Sequence, residues 1–183
     1  LKKLSTRSPI LGGFIAFDGT HSVIRDEMTL KRDELLNLYR VMRTARELDS
    51  LERRLAQQAE VFFYVPSAGH EAMAAVGRHL IEADWLNAHY RDRALLLARG
   101  VRPVDFLHGL YGNEWSNSGG RRMPGFVSDP SLHILSCPTL VGNNALHAVG
   151  IAAAIRENPE HPVVLCNGGD GTTQEGEFME AVA

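Results

Sequence analysis

The stretch Val163-Val-Leu-Cys-Asn-Gly-Gly-Asp-Gly-Thr-Thr-Gln-Glu-Gly-Glu-Phe178 decides the fold, because an apolar run ends abruptly in a glycine-rich turn. The continuous apolar residues from Val163 to Cys166 predict a strand that is buried on both faces of a parallel sheet. A helix is expected from Gln174 onward. Ligands of such sheets bind at the carboxyl ends of the strands, and Asp170 lies at such an end.

The residues before this stretch show the same alternation of strand and helix. Leu132 to Leu135 is a short apolar run that predicts a strand, and Gly142 to Ile155 predicts an alanine-rich helix that can pack closely on a sheet. The order strand, helix, strand, helix predicts an α/β fold in which a parallel sheet carries helices on both faces.

The N-terminal part of the chain is expected to be an arm followed by scaffold. Residues 1–28 mix Pro, Gly, Ser and Thr and predict an extended arm, whereas residues 29–183 are expected to form one domain. Thr29 can cap a long helix whose Arg and Glu residues form a solvated face. The apolar positions of this helix recur every three or four residues; they are Leu35, Leu38, Met42, Ala45, Leu48, Leu51 and Leu55.

Shorter elements are predicted between this helix and the sheet. They are a helix over Gly69–Leu80, an extended segment over Asp84–Tyr90, and helices over Leu95–Arg99 and Val104–Tyr111. Residues 112–131 are rich in Gly, Asn, Ser and Pro and predict a long loop. Loops of that length in compact domains tend to be functional or mobile.

Composition excludes several classes of protein. Of the 183 residues, 44% are apolar and 22% are charged, which is typical of a soluble globular domain. The net charge of -3 gives no reason to expect a nucleic acid or an anionic membrane as partner, and no apolar run is long enough to span a membrane. The two cysteines exclude a disulfide framework and favour a reducing compartment, which is the cytoplasm, or the mitochondrial matrix in a eukaryote.

Asp170 presents an electrostatic conflict that a divalent cation would remove. A glycine-rich turn before a helix exposes backbone amides that favour anions, whereas the carboxylate of Asp170 would repel a bare phosphate. Mg²⁺ is commonly held by one or two carboxylates together with phosphate oxygens. The residues therefore suggest a Mg²⁺–diphosphate site, with an ordinary turn as the alternative.

Two more segments predict polar groups at the same sheet edge. His89-Tyr-Arg-Asp92 follows an extended segment, and there Arg91 can reach a diphosphate as a planar cation while Tyr90 adds a hydroxyl. The alternative for this pair is a surface arginine beside a half-buried tyrosine. Pro138-Thr-Leu-Val-Gly142 lies where another strand runs into a helix, so the turns together would form a cleft.

Taken together, these dispersed motifs resemble the α subunit, or α half, of the thiamine-diphosphate-dependent E1 components of 2-oxo acid dehydrogenase complexes. The likeness covers roughly residues 29–183. The matching segments are Phe63-Tyr64, Gly69-His-Glu-Ala72, His89-Tyr-Arg-Asp92, Leu97-Ala-Arg-Gly100, Phe106-Leu-His-Gly-Leu-Tyr-Gly112, Gly119-Gly-Arg-Arg-Met-Pro124, Thr139-Leu-Val-Gly142, Ala148-Val-Gly150 and Gly169-Asp-Gly-Thr-Thr-Gln-Glu-Gly176. The segment Phe62-Phe-Tyr-Val65 resembles branched-chain-type members more than pyruvate-type members.

The resemblance implies a thiamine-diphosphate-binding fold and roles for seven residues. Asp170 would bind Mg²⁺, and Gly171 and Thr172 would offer backbone contacts to the diphosphate. The positions that would contact the cofactor are Tyr90, Arg91, Thr139, Val141, Gly171 and Thr172.

The resemblance also implies an activity and partners. The thiazolium carbanion of the cofactor would attack a 2-oxo acid, CO₂ would leave, and the acyl group would pass to a lipoyl-bearing E2 carrier. The glutamate that activates the cofactor belongs to the β subunit or β half, so no catalytic residue is assigned to this chain. The alternatives are a non-catalytic assembly fragment of such a complex and a thiamine enzyme of transketolase type.

The sequence departs from the family pattern in two places. The family's second metal ligand, an Asn-Asn pair farther along the chain, is not reached before Ala183, so a fold that is incomplete at the C-terminus and inactive alone is expected. Phe126 stands near the place where many branched-chain-type members have a histidine. His70, at the start of a predicted helix, is expected to be structural.

Overall fold

The computed structural model describes residues 30–136 and 138–183. The arm predicted over residues 1–28 lies outside the described residues. The helices are α1 (Arg32–Gln57), α2 (Met73–Arg78), α3 (Arg93–Arg99), α4 (Pro103–Tyr111), α5 (Asn143–Ile155) and α6 (Gly176–Val182), the strands are β1 (Trp85–Ala88), β2 (Ile134–Ser136) and β3 (Val164–Cys166), and single 3₁₀ turns span Pro130–Leu132 and Asp170–Gln174.

The three strands form a parallel sheet in the order β2-β1-β3, which confirms the predicted α/β class. Leu86 of β1 pairs with Ile134 of β2 on one side and with Leu165 of β3 on the other. The second strand begins two residues later than predicted, because Pro130–Leu132 form a 3₁₀ turn and His133 has a left-handed backbone.

Helices cover both faces of this sheet, as predicted. Side chains alternate between the faces of a strand, so Leu86 and Ala88 point to one face, where they pack into the main core with Leu95 and Leu96 of α3. Asn87 points to the opposite face, where its side-chain amide donates to the carbonyl oxygen of Asn144 in α5 at 2.8 Å. None of the described helices is both long and apolar enough to cross a membrane.

The prediction that Val163–Cys166 is buried on both faces is wrong for the described structure. β3 lies at an edge of the three-stranded sheet and all its residues are only half-buried, while Val163 is 45% exposed. An apolar run of this length does not distinguish a central strand from an edge strand, because both carry apolar residues on the face that meets a helix.

Helix α1 differs from its prediction at the start and on its polar side. Its N-cap is Lys31, whose amide donates to the carboxylate of Glu34 at 2.8 Å. The predicted cap, Thr29, lies outside the described residues. Glu52 was predicted to lie on the solvated face, yet it is buried, and Asp49 is buried beside it. They are buried because they face the Arg93 guanidinium of α3, which is itself buried.

The second helix is shorter than predicted, since α2 begins only at Met73 and His70 lies in the exposed turn before it. Gly77 lets α2 approach α3 closely. A Cβ atom at this glycine would lie 2.8 Å from the Cβ atom of Ala98, so any larger residue would push the two helices apart.

Candidate cofactor-binding cleft

Three turns at the carboxyl ends of the strands meet around one cleft of about 250 Å³. The turns follow β1, β2 and β3 in space as the parallel sheet requires. The lining residues are His89, Tyr90, Pro138, Thr139, Leu140, Val141, Gly142, Asn144, Gly169, Asp170, Gly171 and Thr172. Residues that are far apart in the sequence therefore share one site.

Of the residues selected from the sequence, six line this cleft. They are Tyr90, Thr139, Val141, Asp170, Gly171 and Thr172. Arg91 is not among the described residues that line it: its Nη1 atom donates to the carbonyl oxygen of Pro66 at 2.6 Å. The guanidinium carbon lies 5.2 Å from the centre of the Tyr90 ring, in a cation–π contact.

An aromatic stack forms one wall of the cleft. The Tyr90 ring contacts the rings of His89, at a centroid distance of 3.8 Å, and Phe126, at 5.7 Å. Gly125 permits this contact, because a Cβ atom there would lie 2.7 Å from the carbonyl oxygen of Tyr90 and because its φ of +86° favours glycine. The loop that carries Phe126 is thus fixed against the turn that follows β1.

His89 is an uncharged group of this wall at neutral pH. Its burial, together with the nearby charge of Arg91, lowers the pKa of His89 to about 4. The Arg91 amide donates to its Nδ1 atom at 3.3 Å. Since a backbone amide can only donate, Nδ1 is the acceptor and the ring proton resides on Nε2.

The glycine-rich turn leaves room for a ligand close to its backbone. Ideal Cβ atoms at Gly169 and Gly171 would have no neighbour within 4 Å, whereas one at Gly168 would lie 3.0 Å from the hydroxyl oxygen of Thr172. Asp170 is exposed and Thr172 is buried. The turn therefore presents the Asp170 carboxylate, Gly169 and Gly171 to the cleft, while Thr172 packs against Gly168.

Asp170 is the one carboxylate among the described residues that line the cleft. Within the described residues, no group of three or more His, Cys, Asp or Glu side chains is arranged to hold a metal ion. A single carboxylate suits a Mg²⁺ ion that takes other ligands from phosphate oxygens and water.

A buried polar layer lies beneath the cleft, and sequence reasoning did not identify it. Asp92 accepts hydrogen bonds from the side-chain amide of Asn167 and from the backbone amide of His89. The amide of Asn144 in turn donates to the carbonyl oxygen of Asn167 at 2.9 Å. Burial raises the pKa of Asp92, and the bonds from Asn167 and His89 oppose that rise. The available signal was the position of Asn167, the first polar residue after an apolar strand.

A second, larger cleft of about 430 Å³ lies beyond the aromatic wall. The 60–63 segment, the end of α4 and the 120–124 loop enclose it. Phe63 and Met123 supply apolar surface, whereas Arg121 and Arg122 supply positive charge. Phe126 follows the 120–124 loop in sequence, and its ring stacks on Tyr90, which lines the first cleft.

Comparison with known proteins identifies the family. Residues 39–183 match the family model described as dehydrogenase E1 component. The chain is 35% identical over 170 residues to the 3-methyl-2-oxobutanoate dehydrogenase subunit alpha of Mycobacterium tuberculosis, covering 90% of this chain and 43% of that protein. It is 31% identical over 155 residues to the 2-oxoisovalerate dehydrogenase subunit alpha of Bacillus subtilis, covering 82% of this chain and 47% of that protein.

A pyruvate dehydrogenase E1 component subunit alpha, from Mycoplasma genitalium, is 29% identical over 157 residues, covering 85% of this chain and 41% of that protein. The chain thus spans less than half the length of these curated relatives. The family match extends from within α1 to Ala183 and so includes all three turns of the cleft. The chain belongs to the dehydrogenase E1 component family.

Proposed function

We propose that this chain is the cofactor-binding part of a 2-oxo acid dehydrogenase E1 component, and that its cleft takes thiamine diphosphate with Mg²⁺. The observation that carries the proposal is the meeting of three strand ends around Asp170. Membership of the E1 family supports the class of cofactor, because E1 components of this family depend on thiamine diphosphate.

The groups in the cleft fit a diphosphate that is bridged by a metal ion. Asp170 would bind Mg²⁺, and the open glycines on either side of it would let phosphate oxygens approach the backbone of Gly171 and Thr172. Tyr90 contributes a hydroxyl. Arg91 would contribute a positive charge next to the Tyr90 ring, while its guanidinium donates to the carbonyl oxygen of Pro66.

The turn after β2 would hold the organic part of the cofactor. Thr139 and Val141 line the cleft opposite the glycine-rich turn, and Val141 is 55% exposed. An exposed aliphatic side chain in a cleft offers an apolar contact to an aromatic ring. When bound, thiamine diphosphate would supply a nucleophilic carbon and an electron sink for the decarboxylation of a 2-oxo acid.

We further propose that the substrate is a 2-oxo acid with a branched aliphatic side chain. Two of the relatives are named for such acids, and the apolar groups of the second cleft, Phe63 and Met123, suit an aliphatic side chain. The proposed partners are the E1 β subunit or β half, which would complete the site, and a lipoyl-bearing E2 protein that would accept the acyl group. The proposed location is the cytoplasm, or the mitochondrial matrix in a eukaryote.

Calorimetry of the full-length protein with its β partner tests the cofactor proposal. Thiamine diphosphate is titrated with and without Mg²⁺ into the wild type, the Asp170→Ala variant and an Asp33→Ala control, which removes an exposed carboxylate from the first turn of α1. The expected result is Mg²⁺-dependent binding that Asp170→Ala weakens at least tenfold and that Asp33→Ala leaves unchanged.

Two outcomes would reject the proposal. Binding that does not depend on Mg²⁺, or that survives Asp170→Ala, would remove the metal-bridged site. An absence of binding in the wild type would favour the alternative of a non-catalytic assembly role within such a complex.

A further inference from the structure

We propose that Asp92 is a positioning residue, which acts through the side chain of Asn167 to hold the Gly168–Gln174 turn, and with it the Asp170 carboxylate, against the turn that follows β1. This inference rests on the function proposed above. It assigns a role to two residues, Asp92 and Asn167, that do not line the cleft themselves.

The contact between these residues joins two turns that are far apart in the sequence. Asp92 is 0% exposed. The Nδ2 atom of Asn167 lies 2.8 Å from both of its carboxylate oxygens, across a separation of 75 residues. The same carboxylate accepts a bond from the His89 amide at 2.9 Å. One buried group therefore holds His89, which lines the cleft, and Asn167, which leads into the glycine-rich turn.

Asn167 is held through its backbone as well as through its side chain. Its carbonyl oxygen accepts from Asn144 at 2.9 Å, and its own amide donates to the carbonyl oxygen of Asn87 at 3.2 Å. Its Oδ1 atom accepts from the Gly168 amide at 3.0 Å. Asp170 lies three residues farther along the chain and is exposed, so what fixes its location is the anchoring of the residues before it.

The geometry makes the replacement of Asp92 by asparagine informative. Both carboxylate oxygens lie 2.8 Å from the Asn167 amide nitrogen. Whichever of them becomes an NH₂ group, that group faces the Asn167 amide as a second donor at that distance, and only the remaining oxygen still accepts. Asn167 must then move, and the turn moves with it.

Asp84 provides a matched control at the other end of the sheet. It is also a buried carboxylate, and it accepts bonds from the amides of Val163, at 2.8 Å, and Ile81, at 2.7 Å. Asp84→Asn therefore disturbs a buried carboxylate that links β1 with β3, but it does so away from the carboxyl ends of the strands. A residue with a purely structural role would behave like this control.

The experiment uses the full-length protein with its β partner and has two readouts. The first is the dissociation constant for Mg²⁺ at a fixed concentration of thiamine diphosphate, measured by calorimetry. The second is amide hydrogen exchange of residues 168–174 without any cofactor. We expect Asp92→Asn to weaken Mg²⁺ binding and to speed exchange in this turn, each at least tenfold. Asp84→Asn should change neither readout.

The outcomes separate this inference from the proposed function. If the wild type binds the cofactor with Mg²⁺ but Asp92→Asn leaves both readouts within twofold, the positioning role is refuted and the function stands. If Asp92→Asn does not fold, Asn167→Ala tests the same contact from its other side with the same expected losses. If the wild type binds no cofactor, the function fails and takes the inference with it.

Discussion

Replacing Glu52 with glutamine should stabilise the protein at alkaline pH, although the change removes a salt bridge. Glu52 is 2% exposed, and its Oε2 atom lies 2.6 Å from Nη2 of Arg93. The same guanidinium faces Asp49 at 3.4 Å, so one buried cation serves two buried carboxylates. Burial raises the pKa of Glu52 from 4.5 to about 7; Arg93 opposes this rise and Asp49 adds to it.

The sign and size of the effect follow from these values. Between pH 4.5 and about 7 the folded protein binds more protons at Glu52 than the unfolded chain does, so the free energy of unfolding falls as the pH rises through that window. The whole shift corresponds to about 3 kcal/mol. Glutamine has the shape of the protonated acid and can accept from Arg93 without a charge. The variant should therefore match the wild type near pH 4.5 and exceed its unfolding free energy by up to about 3 kcal/mol at pH 8.

Urea denaturation of both proteins at several pH values, with the same protein concentration throughout, measures this difference. A Glu47→Gln variant is the control, because Glu47 forms an exposed ion pair with Arg43 and its loss should produce no comparable trend with pH. If Glu52→Gln lowers the unfolding free energy at pH 8, then the ionised Glu52–Arg93 pair is a net source of stability and the reasoning is refuted.

Three further predictions concern the wall of the cleft. Gly125→Ala should lower the free energy of unfolding by about 1–3 kcal/mol, measured by denaturation, since its methyl group would meet the Tyr90 carbonyl oxygen and its φ is positive; an unchanged stability would contradict this account of the loop. Arg91→Lys keeps the charge but loses the planar guanidinium that donates to the carbonyl oxygen of Pro66, so limited proteolysis near Pro66 should become faster. Equal proteolysis rates for the variant and the wild type would contradict this role of Arg91. His89 should titrate near pH 4 in an NMR experiment. Because its pKa in the folded protein lies below the ordinary value of 6.5, it contributes stability that is present above pH 6.5 and is lost as the pH falls to about 4; His89→Gln should remove that part of the acid-side loss.

Local patterns in the sequence were sufficient for the class of fold, but not for the environment of each element. The runs at 132–135 and 163–166 predicted two strands of a parallel sheet because their length and apolar character are local properties. They did not predict that β1 lies between the other two strands, since strand order depends on contacts between distant residues. For the same reason Glu52 was assigned to a solvated face: the group that makes its burial possible, Arg93, lies 41 residues away.

The candidate site likewise combines features that the sequence predicted with features that it could not predict. Tyr90, Thr139 and Asp170 were expected at one edge of the sheet because each follows a strand, and the structure brings them to one cleft. The sequence could not predict the direction of the Arg91 side chain, because that direction depends on a hydrogen bond to the carbonyl oxygen of Pro66. The sequence could not predict the hydrogen bond between Asp92 and Asn167 either, because a single buried pair leaves no periodic pattern in the sequence.

The central place of β1 in the sheet has a consequence for how the protein is made. Trp85 pairs with Val164, so the second neighbour of β1 arrives some eighty residues after it. At roughly 5–20 residues per second, a ribosome needs on the order of 4 to 16 seconds to deliver that neighbour. Throughout this interval one edge of β1 has no strand to pair with, and the nascent chain has only part of its cleft. Pairings between distant segments are also the slow ones in folding. Capture of the proposed cofactor would therefore be a late event in biogenesis, and a chaperone that shields this edge would act before it.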